Sequence, residues 1–356
     1  MSAIEIDGSM LEGGGQILRS SIALGAVTGK KVRIYNVRAN RKPPGLRPQH
    51  LTSIQAIAKM TNANVSGLSF GATEVYFEPN STRAGEYSFD IGTAGSTTLT
   101  LQALLPAAAF ATSKTSLRIQ GGTDNPLAPP VDFLSEIFLP TIAKMGVQVE
   151  FLLKRRGFYP EGGGIFEISI RPLKTLIPIN LMDFKKVKKV SGKAYSCRLP
   201  SHIVQRMAKS AKETLQTEYL DVDMIEESLS LTDEACSYGQ GCGIILIAET
   251  DNGALLGGHQ LGRRGISAEK VGQDAAHALL ETLKTRAPVD EYLADQLVVW
   301  MSLANGHSTI KVSSLTLHTL TAIAVCERLL PVQFQVQGKK SSPAVISCGG
   351  IGFESA

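Results

Sequence analysis

The chain has 356 residues, 43% hydrophobic and 19% charged, with a formal net charge of +4. This balance describes a globular protein with a large interior and excludes a disordered or fibrous chain; the length leads us to expect two domains. There is no apolar run of membrane-spanning length and no signal-peptide pattern, and the five scattered cysteines include no CxxC pair, so a cytoplasmic protein with reduced thiols, no membrane and no zinc site is expected.

In chain order, residues 3–6 read as a strand, followed by Gly13-Gly14-Gly15, a helix over about 16–27 and a strand over 31–36. A loop (38–48), whose prolines cannot lie in a helix interior, leads to a helix over about 49–60 and strands at 64–66 and 74–77. The order then returns. Gly92 to Ser96 opens a helix through Ala111, a strand follows at 116–119, then the loop Gly121 to Pro130 and a helix over about 131–145. Ile57-Ala58-Lys59-Met60 recurs as Ile142-Ala143-Lys144-Met145 at the same place. A third, diverged copy is read from about Glu291: helix, strand at 309–312, helix, strand at 332–336. An α/β protein of three βαβαββ repeats is therefore expected.

Between the second and third copies, Phe184-Lys185-Lys186-Val187-Lys188-Lys189 marks a basic boundary. Beyond it lie a strand (194–198), a long helix (201–215), an acidic stretch, strands at 243–249 and 254–259, and a helix capped by Ser267. These describe an inserted small α/β domain over 183–286, or one more degenerate repeat. The expected division is 1–182, 183–286, 287–340 with the third repeat, and a C-terminal extension, 341–356.

The charge is unevenly distributed. From Gly13 to Thr73 there is no acid, while nine Lys and Arg residues fall there, Arg19, Arg38, Arg41 and Arg47 among them. Such a span suggests a surface facing phosphates. Neither a P-loop nor a Gly-x-Gly-x-x-Gly signature is present. Glycine-rich turns recur, serving either as anion cradles or as tight connections. Glu12 abuts the basic span and is either a Mg²⁺ ligand or a solvated carboxylate. In the third copy, Ser313 or Ser314 is the expected N-cap of the last helix, with His318 in its first turns. The positive helix end would depress the imidazole pKa and offer donors to a phosphate. A histidine there is either a nucleophile or a packed, hydrogen-bonded residue.

Several motifs occur together in order. Glu12 to Ser20, Gly45-Leu46-Arg47-Pro48-Gln49-His50-Leu51, Gly121 to Pro130, Arg156 to Gly164, Glu291 to Leu297 and the His318 stretch resemble the RNA 3′-terminal phosphate cyclase family, over about residues 4–337. The resemblance implies repeats like the C-terminal domain of a translation initiation factor, with an inserted thioredoxin-like domain. It implies ATP-dependent conversion of an RNA 3′-phosphate end to a 2′,3′-cyclic phosphate, with His318 as the nucleophile that carries AMP. By the same matching, Gln102, Pro129, Phe133, Tyr292, Leu293, Ala294, Asp295 and Gln296 resemble the ATP pocket. Arg19, Arg38, Arg41 and Gln49 resemble the phosphate-handling set, and Glu12 the ligand of Mg²⁺ or Mn²⁺. The oligomeric state stays open, a homodimer included. The alternatives are a non-catalytic cyclase-like ribosome-assembly protein, which would lack the histidine, and an enolpyruvyl transferase, which would not need it.

Overall fold

The repeats are legible in the strand order of the sheets. In a computed structural model describing residues 2–355, the first unit comprises β1 (Ile4–Asp7), α1 (Gly15–Thr28), β2 (Val32–Tyr35), α2 (Pro48–Thr61), β3 (Asn64–Ser66) and β4 (Val75–Glu78). The second begins with β5 (Glu86–Asp90), α3 (Thr97–Ala109) and β6 (Thr115–Gly121). A helical stretch follows: α4 (Val131–Phe133), a π-helical turn (Leu134–Phe138) and α5 (Leu139–Ala143). Then come β7 (Val149–Arg155) and β8 (Gly164–Ile170). β9 (Asn180–Leu181) opens the third unit, which breaks off for β10 (Val187–Cys197), α6 (His202–Gln216), β11 (Val222–Leu229), β12 (Gly241–Thr250), β13 (Leu255–Leu261) and α7 (Ala268–Lys284). It resumes with α8 (Glu291–Leu303), β14 (His307–Val312), α9 (Leu317–Leu329), β15 (Phe334–Gly338) and β16 (Ala344–Gly349).

Every repeat builds the same sheet: β1-β2-β4-β3, β5-β6-β8-β7 and β9-β14-β16-β15. In each, the first pair is parallel and the others antiparallel. A parallel pair needs a crossover, which α1, α3 and α8 provide. Two departures from the sequence reading follow. The third repeat starts at β9, ahead of the insertion, rather than at Glu291. Residues 341–356, expected as an extension, contain β16, which lies between β14 and β15. Its buried Ala344, Ile346 and Cys348 alternate with partly exposed neighbours, as one face of a sheet requires.

Helices pack inside and sheets cover them. α1 packs on α2, α3 and α9, and α8 on α9. That placement explains why α1, α3 and α8 are apolar on nearly every side, whereas the strands alternate. One core runs through all the repeats. The insertion has the strand order β11-β10-β12-β13 of a thioredoxin-like unit, with α6 and α7 packed together over its own core. In β12, Ile244, Leu246 and Ala248 face that core while Ile245 and Ile247 join the main one. Burial on both faces is why this strand reads as a continuous apolar run.

A buried ionic cluster ties the insertion to the second repeat. Arg156 donates to both oxygens of Asp132, at 2.7 and 3.0 Å, and from Nε to Glu227 of β11 at 3.3 Å. Lys193 of β10 also reaches Asp132, at 3.3 Å. The Tyr195 hydroxyl donates to Asp124 at 2.6 Å, and its ring lies 3.6 Å beneath the Arg156 guanidinium. Burial alone would raise the Asp132 pKa, but Arg156 and Lys193 together hold it below the ordinary value. All five cysteines are unpaired. Among the described residues, no helix is long and apolar enough to cross a membrane.

Candidate active site

The cap of α9 is Thr316, whose hydroxyl accepts from the Thr319 N–H at 3.1 Å, and not Ser313 or Ser314. The backbone of those earlier residues is already engaged: Ser313 N–H donates to Val289 O at 2.8 Å and Leu315 N–H to Ser342 O at 2.9 Å. Both bonds hold the segment extended. His318 is therefore the second residue of the helix, and it is exposed.

Its Nδ1 lies 2.7 Å from Oε1 of Gln16 in α1, and Gln16 Nε2 donates to Asp295 Oδ2 of α8 at 2.9 Å. With Asp295 ionised, the amide nitrogen must face the carboxylate, so its oxygen faces the histidine. Nδ1 then carries the proton, and Nε2 keeps its lone pair. Although the residue as a whole is exposed, partial burial of its ring against Gln16 lowers the His318 pKa below the ordinary value; Glu12 opposes this, and Arg19 and Arg41 add to it. Asp295 is pushed up to about 7, chiefly by burial, with Arg19 restraining the rise and Asp290 adding to it.

Glycine shapes the next layer. A Cβ at Gly14 would come 2.2 Å from a Glu12 carboxylate oxygen, and one at Gly15 2.5 Å from His50 Nε2 and 3.1 Å from Arg19 Nη1. Only glycines let these three side chains converge on the start of α1. The Glu12 side chain is just 6% exposed and accepts a bond from Arg41 on one oxygen. Its other oxygen, and Nε of Arg19, are buried without partners. Buried polar atoms are nearly always paired, so these two groups of opposite charge fit a site that takes a polar or ionic ligand. Arg19 is lowered to about 10 by burial, with Asp295 and Glu12 opposing, and remains a cation at neutral pH.

The residues matched to phosphate handling meet here in part. Arg38, at φ 56°, donates from Nη1 to Pro43 O at 3.0 Å and Gly45 O at 2.8 Å, with no acidic partner among the described residues. Gln49 Oε1 accepts from the Ser96 N–H at 3.0 Å, joining the starts of α2 and α3 and leaving its amide nitrogen for a ligand. The sequence reading missed His50. Its Nδ1 accepts from Arg47 N–H at 3.1 Å, so in the neutral ring Nε2 is a donor aimed at the Gly15–Arg19 corner. Burial, then Arg19, Arg38 and Arg47, push its pKa to about 3. The signal was the motif containing Gln49, one residue earlier. Other bases of the acid-free span serve elsewhere: Lys31 pairs with Glu78, and Arg33 with Glu5 and Glu74. Acids distant in sequence return through the sheet.

The residues matched to an ATP pocket fall in two groups. Gln102, Asp295 and Gln296 line a cavity with Gln16 and Arg19, between α1, α3 and α8. Tyr292, 44% exposed, lies edge-on 6.2 Å from the buried Phe133 and 5.1 Å from His259 of β13, a residue the sequence reading passed over. Leu293 and Ala294 point into the core, where they seat α8, and the Pro129 carbonyl accepts from Thr98 Oγ1 at 3.1 Å. Among the described residues, no three His, Cys, Asp or Glu side chains are grouped to hold a metal. Among the described residues, Glu12 alone offers a free, buried carboxylate oxygen. One such donor suits Mg²⁺ or Mn²⁺, since Mg²⁺ commonly takes one or two carboxylates, waters and substrate phosphates.

The family model for RNA 3′-terminal phosphate cyclase matches residues 10–336. A protein named RNA 3′-terminal phosphate cyclase from Ignicoccus hospitalis is 44% identical, over 98% of this chain and 99% of its own. One so named from Korarchaeum cryptofilum is 45% identical, over 99% of this chain and all of its own. Against an EPSP synthase from Acinetobacter baumannii the TM-score is 0.29 at 11% identity, covering 98% of this chain and 65% of that one, a likeness too low to bear weight. The chain belongs to the RNA 3′-terminal phosphate cyclase family.

Proposed function

We propose that this protein uses ATP to close an RNA 3′-phosphate into a 2′,3′-cyclic phosphodiester, with His318 as the covalent nucleophile. The observation that carries the reading is the His318–Gln16–Asp295 line, which leaves Nε2 free beside the orphaned Arg19 and Glu12. Nε2 attacks the ATP α-phosphorus and diphosphate leaves. The new P–N bond puts positive charge on the ring, which Gln16 steadies by accepting the Nδ1 proton's hydrogen bond and Asp295 through Gln16. An oxygen of the RNA 3′-phosphate then displaces His318 and takes the AMP. Its vicinal 2′-OH attacks the 3′-phosphorus, its proton passing to solvent, and AMP departs. Adenylation is needed because a phosphate oxygen is a poor leaving group.

Arg19, Arg38 and Arg41, with the Nε2 donor of His50 and the Gln49 amide, bind the phosphates. Gln102 and Gln296 position the nucleotide, and Tyr292 stacks on adenine beside Phe133 and Pro129. Glu12 would hold Mg²⁺ or Mn²⁺, which when bound offsets triphosphate charge. The repeats carry this chemistry, 183–286 being an insertion that contributes His259. The reading places the enzyme in the cytoplasm, in keeping with five unpaired thiols.

Incubation with α-labelled ATP and Mg²⁺ or Mn²⁺ should leave AMP on the protein, labile in acid, stable in base, and mapping to the His318 peptide. A label on another histidine, or none, would refute the nucleophile.

A further inference from the structure

Outside the phosphate pocket a cation and an aromatic ring are built into one exposed surface. The Arg47 guanidinium lies over the Phe70 ring, 4.8 Å from its centroid, and Phe70 is 65% exposed. The pair is held by backbone and does not depend on the two side chains alone. Gly71 N–H donates to Leu46 O, and Leu46 N–H to Ala72 O, both at 2.9 Å. Gly45, at φ 77°, is packed so closely that a Cβ there would lie 2.2 Å from Gly71 O. The loop carrying Phe70 is thus stitched to the residues just ahead of Arg47, and Arg38 donates to Gly45 O in the same knot. Among the described residues neither Arg38 nor Arg47 has an acidic partner, unlike Lys31 and Arg33 of the same span. Arg38 is depressed by burial, then by Arg47 and Arg41, so these cations are near neighbours.

Unpaired cations side by side repel one another and are held together here by backbone. They lead from the half-buried Arg19 through Arg38 to Arg47, and at the outer end the line meets an aromatic face. Single-stranded nucleic acid is recognised by this combination of cations along the backbone and rings under the bases. We infer that Phe70 and Arg47 form a subsite for the nucleotide preceding the RNA end, its base stacked on Phe70 and its phosphate met by Arg47. The inference rests on the RNA reading proposed above. Stacking on a ring with no polar edge accepts any base, so this subsite adds length preference without sequence preference.

The test is calorimetric affinity for a 3′-phosphorylated dinucleotide against a nucleoside 3′-phosphate, in wild-type protein and Phe70→Ala. Stacking of one base corresponds to about a tenfold gain in affinity. Wild-type protein should prefer the dinucleotide by at least that factor; Phe70→Ala should lower the preference about tenfold with unchanged mononucleotide affinity, leaving only the Arg47 contact, and Phe70→Tyr should keep it. Arg47→Gln should flatten the salt dependence of dinucleotide binding by about one phosphate contact. A preference undiminished in Phe70→Ala, or absent from wild-type protein, overturns the subsite. AMP labelling of the same preparations is read separately. Its absence from wild-type protein would count against the proposed reaction, while its persistence in Phe70→Ala shows that the variant is folded.

Discussion

Two buried polar networks join separate parts of this chain, and they differ in completeness. Around Arg156, the guanidinium meets Asp132, Glu227 and the Tyr195 ring, Tyr195 meets Asp124, and none of these side chains has an unpartnered buried atom. Around His318, Gln16, Asp295 and Arg41 are paired, but Glu12 and Arg19 each keep a buried atom without a partner. A closed network holds an insertion in place. An open one retains the desolvated charge that a substrate can satisfy. The fold thus separates rigidity from readiness to bind, although both regions are built from the same residue types.

Two substitutions should break the comparison in opposite ways. His318→Asn should abolish AMP labelling and RNA cyclisation, while shifting unfolding free energy by no more than about 0.5 kcal/mol because the side chain is exposed. Arg156→Met should do the reverse. It removes the buried guanidinium between Asp132 and Asp124, leaving the first only Lys193 and the second only hydroxyl donors, so denaturant unfolding should show a loss of about 3 kcal/mol. AMP labelling per folded molecule should persist. A destabilised His318→Asn, or a fully stable Arg156→Met, would show that the division of roles is wrong.

The first two repeats were legible in the sequence because each has the same punctuation, glycine turn, helix, strand, proline loop, helix, whereas the third keeps the order of elements without the glycine turn or the proline loop. The last strand was not, because β16 follows Lys339-Lys340-Ser341-Ser342-Pro343, a polar turn that reads as the start of a tail. β9 was too short, at two residues, to have a period. The α9 cap was misplaced because the backbone bonds that keep 313–315 extended come from distant segments. His318, Glu12 and Arg19 stood out through motifs, yet their relations did not. Nothing local to Gln16 says that it bridges His318 and Asp295. The pairing of Arg41 with Glu12 joins residues expected to serve RNA and metal separately.

That pairing allows a milder test of the open network. Glu12→Gln removes the free carboxylate charge but keeps a polar group of the same size. Half-maximal AMP labelling should then need about tenfold more Mg²⁺, since a hard cation favours a charged oxygen over an amide. An unchanged metal titration would remove Glu12 from the metal site and leave it as a partner of Arg41 alone.

The smallest effect concerns pH, and it sharpens the comparison because the open network titrates near neutrality. His318 must be neutral to attack, and its pKa lies below the ordinary 6.5 because burial, Arg19 and Arg41 outweigh Glu12. Protonation, which costs the lone pair, therefore begins at lower pH than for a free imidazole. The low-pH limb that His318 sets in the rate of AMP labelling at saturating ATP should have its midpoint below pH 6.5. Removing a neighbouring cation, as in Arg41→Gln, should move this limb to higher pH; Glu12→Gln should move it lower. Each shift should be less than about one pH unit, as expected for partly screened charges. Asp295, at about 7, titrates above this window and must be separated from it. In Asp295→Asn the limb below 6.5 should remain, while any inflection near 7 should vanish. A single limb near 7 that disappears in Asp295→Asn would assign the control of pH to the carboxylate and not to the nucleophile.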